Sequence, residues 1–291
     1  MSAPAERPTL HRLAEEVGRA TAIDGPAEAV AGAVRDAVPR GPVKDALSGT
    51  PLGHALHPLL TDIPIGSWTA AALLDLLGGR DSRVASERLV AIGVLAAAPT
   101  AATGLNDWAD TTPASDSVRR IGAVHAVANV AALGLYTASW AARRRGGHGR
   151  GVALGLAGLG ALTVGGHLGG HLSYSKAVGV DQTALEARPE EWTVVFDDAA
   201  LPEGGLRSAR LHDTTVMLAR VNGEVHALAD RCAHRGGALH EGELVDACVE
   251  CPLHGSRFRL ADGSVERGPA AYPQPRYEVR VRDGRIAVRA G

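Results

Sequence analysis

The sequence predicts a multi-domain protein in which an all-α, four-helix transmembrane domain is followed by an all-β domain. Three observations support this fold class. Apolar segments of membrane-spanning length occupy the first half of the chain, short runs rich in β-branched residues occupy the last third, and a stretch with glycine and proline separates the two. A chain of 291 residues is also long enough for two domains.

These patterns divide the chain into four regions: a polar N-terminal region at residues 1–52, the helical domain at 53–175, a linker at 176–190 and the β domain at 191–291. In the N-terminal region Leu10, Leu13 and Val17 recur at helical spacing, which predicts short amphipathic helices. Such helices either lie on a membrane surface or pack on the rest of the protein. No short apolar core follows a basic start, so no secretory signal peptide is expected.

The helical domain contains four apolar segments, Pro58–Leu77, Leu89–Leu105, Ile121–Trp140 and Val152–His171. Each has roughly the 20 residues that a helix needs to cross a bilayer. A soluble helical bundle is the alternative, but the fourth segment is rich in glycine, which favours close helix packing in lipid. Basic residues are nearly balanced between the two sides of the predicted membrane, so the orientation of the β domain stays open.

Several turn signals in the last third of the chain predict β-hairpins. Asn222-Gly223 and Asp283-Gly284 each separate two apolar runs, as in tight two-residue hairpin loops. One of the predicted strands is Leu244–Glu250, which contains Cys248. We interpret Cys248 as a small strand residue rather than a reactive thiol. The net charge of −2 gives no reason to expect a nucleic-acid partner.

The remaining two cysteines lie in the pattern Cys232-Ala-His234 and, after residues 235–250, Cys251-Pro-Leu-His254. Two thiolates and two imidazoles are suitable ligands for zinc, or for an iron–sulfur cluster in which histidines replace two cysteines. Zinc sites usually carry two or more residues between paired ligands, whereas the first pair here has one. Glycines in both flanks, including Gly236 and Gly255, permit tight loops around a buried inorganic group.

This pattern and its flanks, CAHRGGAL and CPLHGSRFRLADGSV, resemble the Rieske [2Fe-2S] family in its ferredoxin-like branch. The resemblance covers about residues 191–291. It implies a Rieske-type [2Fe-2S] cluster as cofactor and metal centre, with Cys232 and Cys251 on one iron and His234 and His254 on the other. Rieske oxygenases carry a second iron site, made of two histidines and one carboxylate, and no such site is visible in this sequence. No Rossmann fingerprint or flavin site is visible either, so no catalytic residue is assigned.

The helical half resembles a bacterial family of four-helix membrane proteins of unknown function, on the segments HPLLTDIPIGSW and GGHLGGHLSYSKAVGVDQTA. A multi-pass location in a bacterial cell membrane is therefore expected, with the lipid bilayer as a partner. Helix directions bring a set of histidines to one membrane face: His54, His57, His125, His167 and His171. These histidines either hold a haem, a quinone or a metal, or they are hydrogen-bonded to neighbouring helices.

The function expected from these observations is one-electron transfer by a membrane-bound Rieske iron–sulfur protein. Such a chain is an electron-transfer component of an oxidoreductase system rather than a self-contained enzyme, and its redox donor and acceptor cannot be named from the sequence. The alternatives are a subunit of a quinone- or haem-linked oxidoreductase, which would use the histidines of the membrane face, and a redox-responsive regulator.

Overall fold

The structure is a computed structural model that describes residues 8–111 and 115–291. The chain forms two compact units, and each of them combines separate parts of the sequence. The helical unit comprises Met1–Val38 and Leu56–Val178, and the sheet unit comprises Pro39–Ala55 and Gly179–Gly291. The grouping of residues 39–55 with the sheet unit is not anticipated by any sequence pattern described above.

The described residues form seven α-helices, six of which lie in the helical unit. Their bounds are α1 Thr9–Arg19, α2 Asp24–Ala37, α3 Pro42–Ser48, α4 Leu56–Leu77, α5 Arg83–Thr111, α6 Asp116–Arg144 and α7 His148–Gly170. Helix α3 belongs to the sheet unit. A π-helical turn at His171–Ser175 continues α7.

The sequence predicts four transmembrane helices, but one of the four does not qualify in the structure. Within residues 8–111 and 115–291, three helices are long and apolar enough to cross a membrane by length and composition, and these are α5, α6 and α7 with its π-helical turn. Helix α4 occupies the first predicted segment, but it is not one of these three candidate membrane spans. Its apolar character is interrupted by two aspartates, Asp62 and Asp75, and by two prolines.

Aromatic rings and glycines fill the centre of the helical unit. The rings of Trp68 on α4 and Tyr136 on α6 are stacked with their centroids 4.1 Å apart. A Cβ atom added at Gly93 would lie 2.2 Å from the indole of Trp68, and one at Gly158 would lie 2.9 Å from the ring of Tyr136. The glycines of α5 and α7 therefore provide the space in which these two rings pack.

A buried ion pair joins α4 to α6. The side chains of Asp75 and Arg143 are 4% and 2% exposed, and Arg143 Nη1 donates to Asp75 Oδ1 at 2.9 Å. Ser86 of α5 donates to Asp75 at 2.7 Å, so the carboxylate has partners from two other helices. Two charges removed from water are stable there only because each is matched by the other and by further hydrogen bonds.

The two short N-terminal helices are packed on the longer ones. Helix α1 contacts α6, and α2 contacts both α5 and α6. Asp24, at the start of α2, accepts hydrogen bonds from Arg119 at 3.0 Å and from Arg120 at 2.7 Å. Of the two placements expected from the sequence, the structure therefore has the packed one.

The sheet unit contains two antiparallel sheets. The six-stranded sheet has the order β1-β10-β9-β4-β3-β2, and the four-stranded sheet has the order β5-β6-β7-β8. The strands are β1 Thr193–Asp197, β2 Leu206–Leu211, β3 Thr214–Val221, β4 Glu224–Ala229, β5 Glu243–Val245, β6 Cys248–Glu250, β7 Arg257–Arg259, β8 Val265–Arg267, β9 Arg276–Arg282 and β10 Arg285–Ala290.

The two predicted hairpins are present, with Asn222-Gly223 joining β3 to β4 and Asp283-Gly284 joining β9 to β10. The single strand predicted at Leu244–Glu250 is instead two short strands, because Asp246 adopts a positive φ of 55° and turns the chain between them. Cys248 begins the second of these strands and is 7% exposed, as expected for a small strand residue.

We predict that Asp75→Asn destabilises the helical unit by roughly 3–5 kcal/mol, because it leaves the Arg143 guanidinium buried without a counter-charge. The melting temperature of the detergent-solubilised protein, followed by far-ultraviolet circular dichroism, measures the effect. Asp62→Asn is the matched control, since Asp62 lies on the same helix and is exposed. Equal melting temperatures of the two variants would contradict the role given to the ion pair.

Candidate metal centre

Two loops at one end of the four-stranded sheet bring the Cys/His pairs together. The first loop follows β4 and holds Cys232 and His234, and the second joins β6 to β7 and holds Cys251 and His254. The two loops share one backbone hydrogen bond, from the N–H of the cysteine to the carbonyl oxygen five residues later. Cys232 N donates to Gly237 O at 2.8 Å, and Cys251 N donates to Ser256 O at 2.8 Å.

The two thiols are buried and in contact. Cys232 and Cys251 are 1% and 2% exposed, and their side chains hydrogen-bond to each other. The shared hydrogen bond raises the pKa of Cys232 and lowers the pKa of Cys251 to about 7. Backbone N–H groups from both loops also donate to the two sulfurs, which favours the thiolate form. The thiolate is the form in which a cysteine binds a metal.

The two imidazoles lie beside each other. The rings of His234 and His254 have centroids 5.0 Å apart and are nearly perpendicular, with an interplanar angle of 88°. Burial, and then the positive charge of Arg235, hold the pKa of His234 well below its usual range. His234 is therefore neutral at pH 7, which is the state in which an imidazole binds a metal.

The residues present fit a resident metal group. The Nδ1 atom of His234 is buried and has no hydrogen-bond partner in the protein, which is unfavourable unless a further group occupies that position. Gly237 keeps the space beside the sulfurs open, because a Cβ atom there would lie 3.1 Å from Cys251 Sγ. Two sulfur and two nitrogen donors, gathered in two loops, match the ligands of a mixed Cys/His iron–sulfur cluster.

Gln274, which belongs to none of the motifs described above, supports the first loop through its side chain. Its side chain is buried, and Oε1 accepts from the N–H of Ala233 at 3.0 Å. Its Nε2 donates to the carbonyl oxygens of Ala229 and Arg231, both at 2.7 Å. A polar residue in the proline-rich stretch AYPQPRY, just before a strand, was the available signal for this role.

Residues 39–55 cover the second loop. The guanidinium of Arg40 lies against the backbone of Gly255, where an added Cβ atom would be 2.6 Å from Arg40 Cζ, and it also pairs with Glu250 at 3.0 Å. Thr50 Oγ1 donates to the carbonyl oxygen of Ala270 at 2.9 Å. Lys44 is 5% exposed, and its charge helps to lower the pKa of His234. The segment therefore brings two positive charges close to the Cys/His loops.

The histidines predicted at the membrane face are mostly bonded within the helical unit. His57 Nδ1 lies 3.0 Å from the carbonyl oxygen of Thr100, and His125 Nδ1 lies 2.8 Å from that of Gly165. His167 is exposed, with Nε2 at 3.4 Å from the carbonyl oxygen of Leu10. His171 contacts Glu15, and His54 belongs to the sheet unit. For His57 and His125, hydrogen bonding to a neighbouring helix accounts for the side chain.

Comparisons with known proteins agree with this geometry. Residues 191–278 match the family described as "Rieske [2Fe-2S] domain". Over 89 residues the chain is 40% identical to the 3-phenylpropionate/cinnamic acid dioxygenase ferredoxin subunit of Photorhabdus laumondii subsp. laumondii, covering 30% of this chain and 84% of that protein. The chain belongs to the Rieske [2Fe-2S] family. A Rieske domain implies a [2Fe-2S] cluster and electron transfer, and the helical half, residues 53–182, matches the family described as "Predicted membrane protein (DUF2231)".

Other relatives of the Rieske domain are of similar or greater length. The ferredoxin subunit of the same name from Escherichia coli (strain K12) is 41% identical over 93 residues, which are 31% of this chain and 85% of that protein. Apoptosis-inducing factor 3 of Homo sapiens is 34% identical over 90 residues, and the chain spans 15% of its length. Among solved structures, the ferredoxin of carbazole 1,9a-dioxygenase from Nocardioides aromaticivorans IC177 is 26% identical, with a TM-score of 0.33 over 34% of this chain and 98% of that chain.

We predict that Gln274→Ala lowers the free energy of unfolding of the Rieske domain by at least about 2 kcal/mol. The substitution leaves the buried N–H of Ala233 and the buried carbonyl oxygen of Ala229 without their partner, and the part-buried carbonyl oxygen of Arg231 as well. Each buried loss costs roughly 1–3 kcal/mol. The rate at which visible absorbance disappears on heating measures the effect. Gln182→Ala is the control, because Gln182 is also close to the first loop but its side chain is bonded at the surface. Unchanged cluster retention in Gln274→Ala would contradict the supporting role.

Proposed function

We propose that this chain is a membrane-bound Rieske iron–sulfur protein that accepts and donates one electron at a time. In this proposal Cys232 and Cys251 hold one iron of the cluster, and His234 and His254 hold the other. The observation that carries the proposal is the pair of contacting buried thiols beside two imidazoles, one of which has a buried nitrogen without a partner. The likeness to ferredoxin subunits supports the same assignment.

The surrounding residues have defined tasks in such a carrier. Bound in the loops, the cluster supplies a site that cycles between two charge states differing by one electron. Backbone N–H groups of His234, Arg235, Leu253 and His254 donate to the sulfurs and so stabilise negative charge. Gly237 and the buried side chains around it exclude water. The positive charges of Arg40 and Lys44 favour the reduced, more negative state.

Electron transfer between protein partners is the role that best fits these features. Two relatives that are similar in length to the Rieske half are named as dioxygenase ferredoxin subunits. We infer that this chain likewise needs a separate redox donor and a separate acceptor. The hydrogen bonds of His57 and His125 to helix backbones give no support to a haem or quinone site at those two residues.

The helical unit serves, in this proposal, to hold the carrier in the cell membrane as a multi-pass protein. Helices α5, α6 and α7 have the length and apolarity for crossing, and their interior is closed by glycine packing and a matched ion pair. The exposed apolar side chains of α5, such as Ile92 and Leu95, would then face lipid. The lipid bilayer is thus the second partner that we assign to the chain.

The ligand assignment predicts which cysteine can be replaced. The purified protein should contain two iron atoms per chain and, when reduced, give the rhombic electron paramagnetic resonance signal of a nitrogen-ligated [2Fe-2S] cluster. His254→Ala and Cys251→Ser should abolish this signal, and Cys248→Ser should keep it. Cys248 is a matched control because it is also buried and begins strand β6, three residues before Cys251. Loss of the cluster in Cys248→Ser alone would refute the assignment.

The multi-pass proposal predicts the sides from which single cysteines can be labelled. In a Cys248→Ser background, Asp81→Cys before α5 and Arg145→Cys after α6 should react with an impermeant maleimide from the same side of sealed membranes. Asp116→Cys, at the start of α6, should react from the opposite side, since α5 and α6 each cross once. Labelling of all three positions from one side, or release of the protein by alkaline carbonate, would rule out the arrangement.

A further inference from the structure

The second cluster of metal-binding side chains lies in the helical unit, where α1 meets the end of α7. His11 and Glu15 are four residues apart on α1, so they project from the same side of that helix. His171 lies in the π-helical turn that continues α7. One ligand atom from each of the three residues lies within 4.8 Å of the others.

The contacts within this cluster are specific. His171 Nε2 lies 3.1 Å from Glu15 Oε1, and the rings of His11 and His171 have centroids 5.1 Å apart in an edge-on arrangement. The side chain of His171 is 3% exposed, whereas that of Glu15 is 20% exposed. This group of three side chains therefore has one buried imidazole, and an ion from solvent can reach it on the side of Glu15.

We propose that His11, Glu15 and His171 bind a divalent transition-metal ion of the zinc class. Two imidazole nitrogens and one carboxylate oxygen form an N/O ligand set that zinc accepts, with a fourth position left for water. Ligand atoms around a tetrahedral zinc ion, at bonds near 2.1 Å, are about 3.4 Å from one another. The ligand atoms here need to approach by little more than about 1 Å, which small side-chain rotations can supply.

When no metal is bound, the ammonium group of Lys176 supplies the positive charge that pairs with the Glu15 carboxylate. Its Nζ lies 2.8 Å from Glu15 Oε1 and 3.1 Å from Glu15 Oε2. Lys176 therefore contacts both carboxylate oxygens of Glu15, one of which also lies beside His171. An incoming cation must share or replace the contact with Lys176, and Lys176 is accordingly a competitor for the ion.

This site is separate from the one assigned to the iron–sulfur cluster. The cluster loops belong to the sheet unit, and the His11, Glu15 and His171 site belongs to the helical unit. A bound ion would join α1 to the turn after α7 through bonds stronger than the present hydrogen bonds. The expected consequence is a metal-dependent attachment of the N-terminal helix to the helical unit.

The test uses the full-length, tag-free protein with its cluster assembled, titrated with zinc chloride by isothermal calorimetry. Iron and zinc are counted in the same samples after removal of excess ion. The expected result is one zinc per chain with no loss of iron, and no comparable binding of magnesium chloride. If no zinc stays bound to the protein after an excess of zinc chloride has been added and removed, the proposal is overturned. Zinc uptake matched by loss of iron would also overturn it, because the ion would then occupy the cluster loops.

Variants identify the ligands. His11→Ala and Glu15→Gln should each weaken zinc binding by at least about tenfold, and Glu16→Gln, the neighbouring exposed carboxylate, should leave it unchanged. Lys176→Met should strengthen binding, because it removes the competing ammonium group. This gain cannot arise from misfolding. Equal affinities of the Glu15→Gln and Glu16→Gln proteins, or weaker binding in Lys176→Met, would exclude the site.

Discussion

Two thiols and two imidazoles lie side by side and largely out of water in the sheet unit, and the loss of their hydration must be offset locally. The offset comes from backbone N–H groups directed at the sulfurs and from the neutral state of His234. The rest of the unit supports those groups: Gln274 fixes the first loop, Ser256 fixes the second through its carbonyl oxygen, and Arg40 covers it. The packing around the loops thus follows from the need to keep four metal-binding groups dry and correctly directed.

The same requirement governs the helical unit, where the polar groups are fewer and more widely spaced. Asp75 and Arg143 neutralise each other, and the imidazoles of His57 and His125 are bonded to carbonyl oxygens of neighbouring helices. These interactions are formed where glycines allow close approach, as at Gly165, whose own carbonyl oxygen is the partner of His125. Hydrogen bonding of this kind is what makes polar side chains compatible with helices of membrane-spanning length.

Much of this architecture can be predicted from the sequence, because its signals are local. The spacing of Cys232, His234, Cys251 and His254 is legible without a fold, as are the hairpin turns at Asn222-Gly223 and Asp283-Gly284. Features that depend on distant residues are not legible in this way. The proline-rich context marks Gln274 as unusual, but it does not show that the side chain bonds to the backbone of the first loop. Length alone predicts a membrane span at α4, whereas its two aspartates lower the apolar character of this helix. The pairing of Glu15 with His171 likewise joins residues far apart in sequence.

The division of the sheet unit into two separate parts of the chain affects how the protein can be made. Residues 39–55 emerge from the ribosome before the helices of residues 56–178, and the loops that they cover emerge last. Domains usually fold in the order of their synthesis. Here Arg40 and Lys44 must wait, without their final contacts, until the whole helical unit has been synthesised. The sheet unit is therefore completed only after the helical unit has been synthesised, and a segment beginning at residue 179 would lack residues 39–55 as its cover.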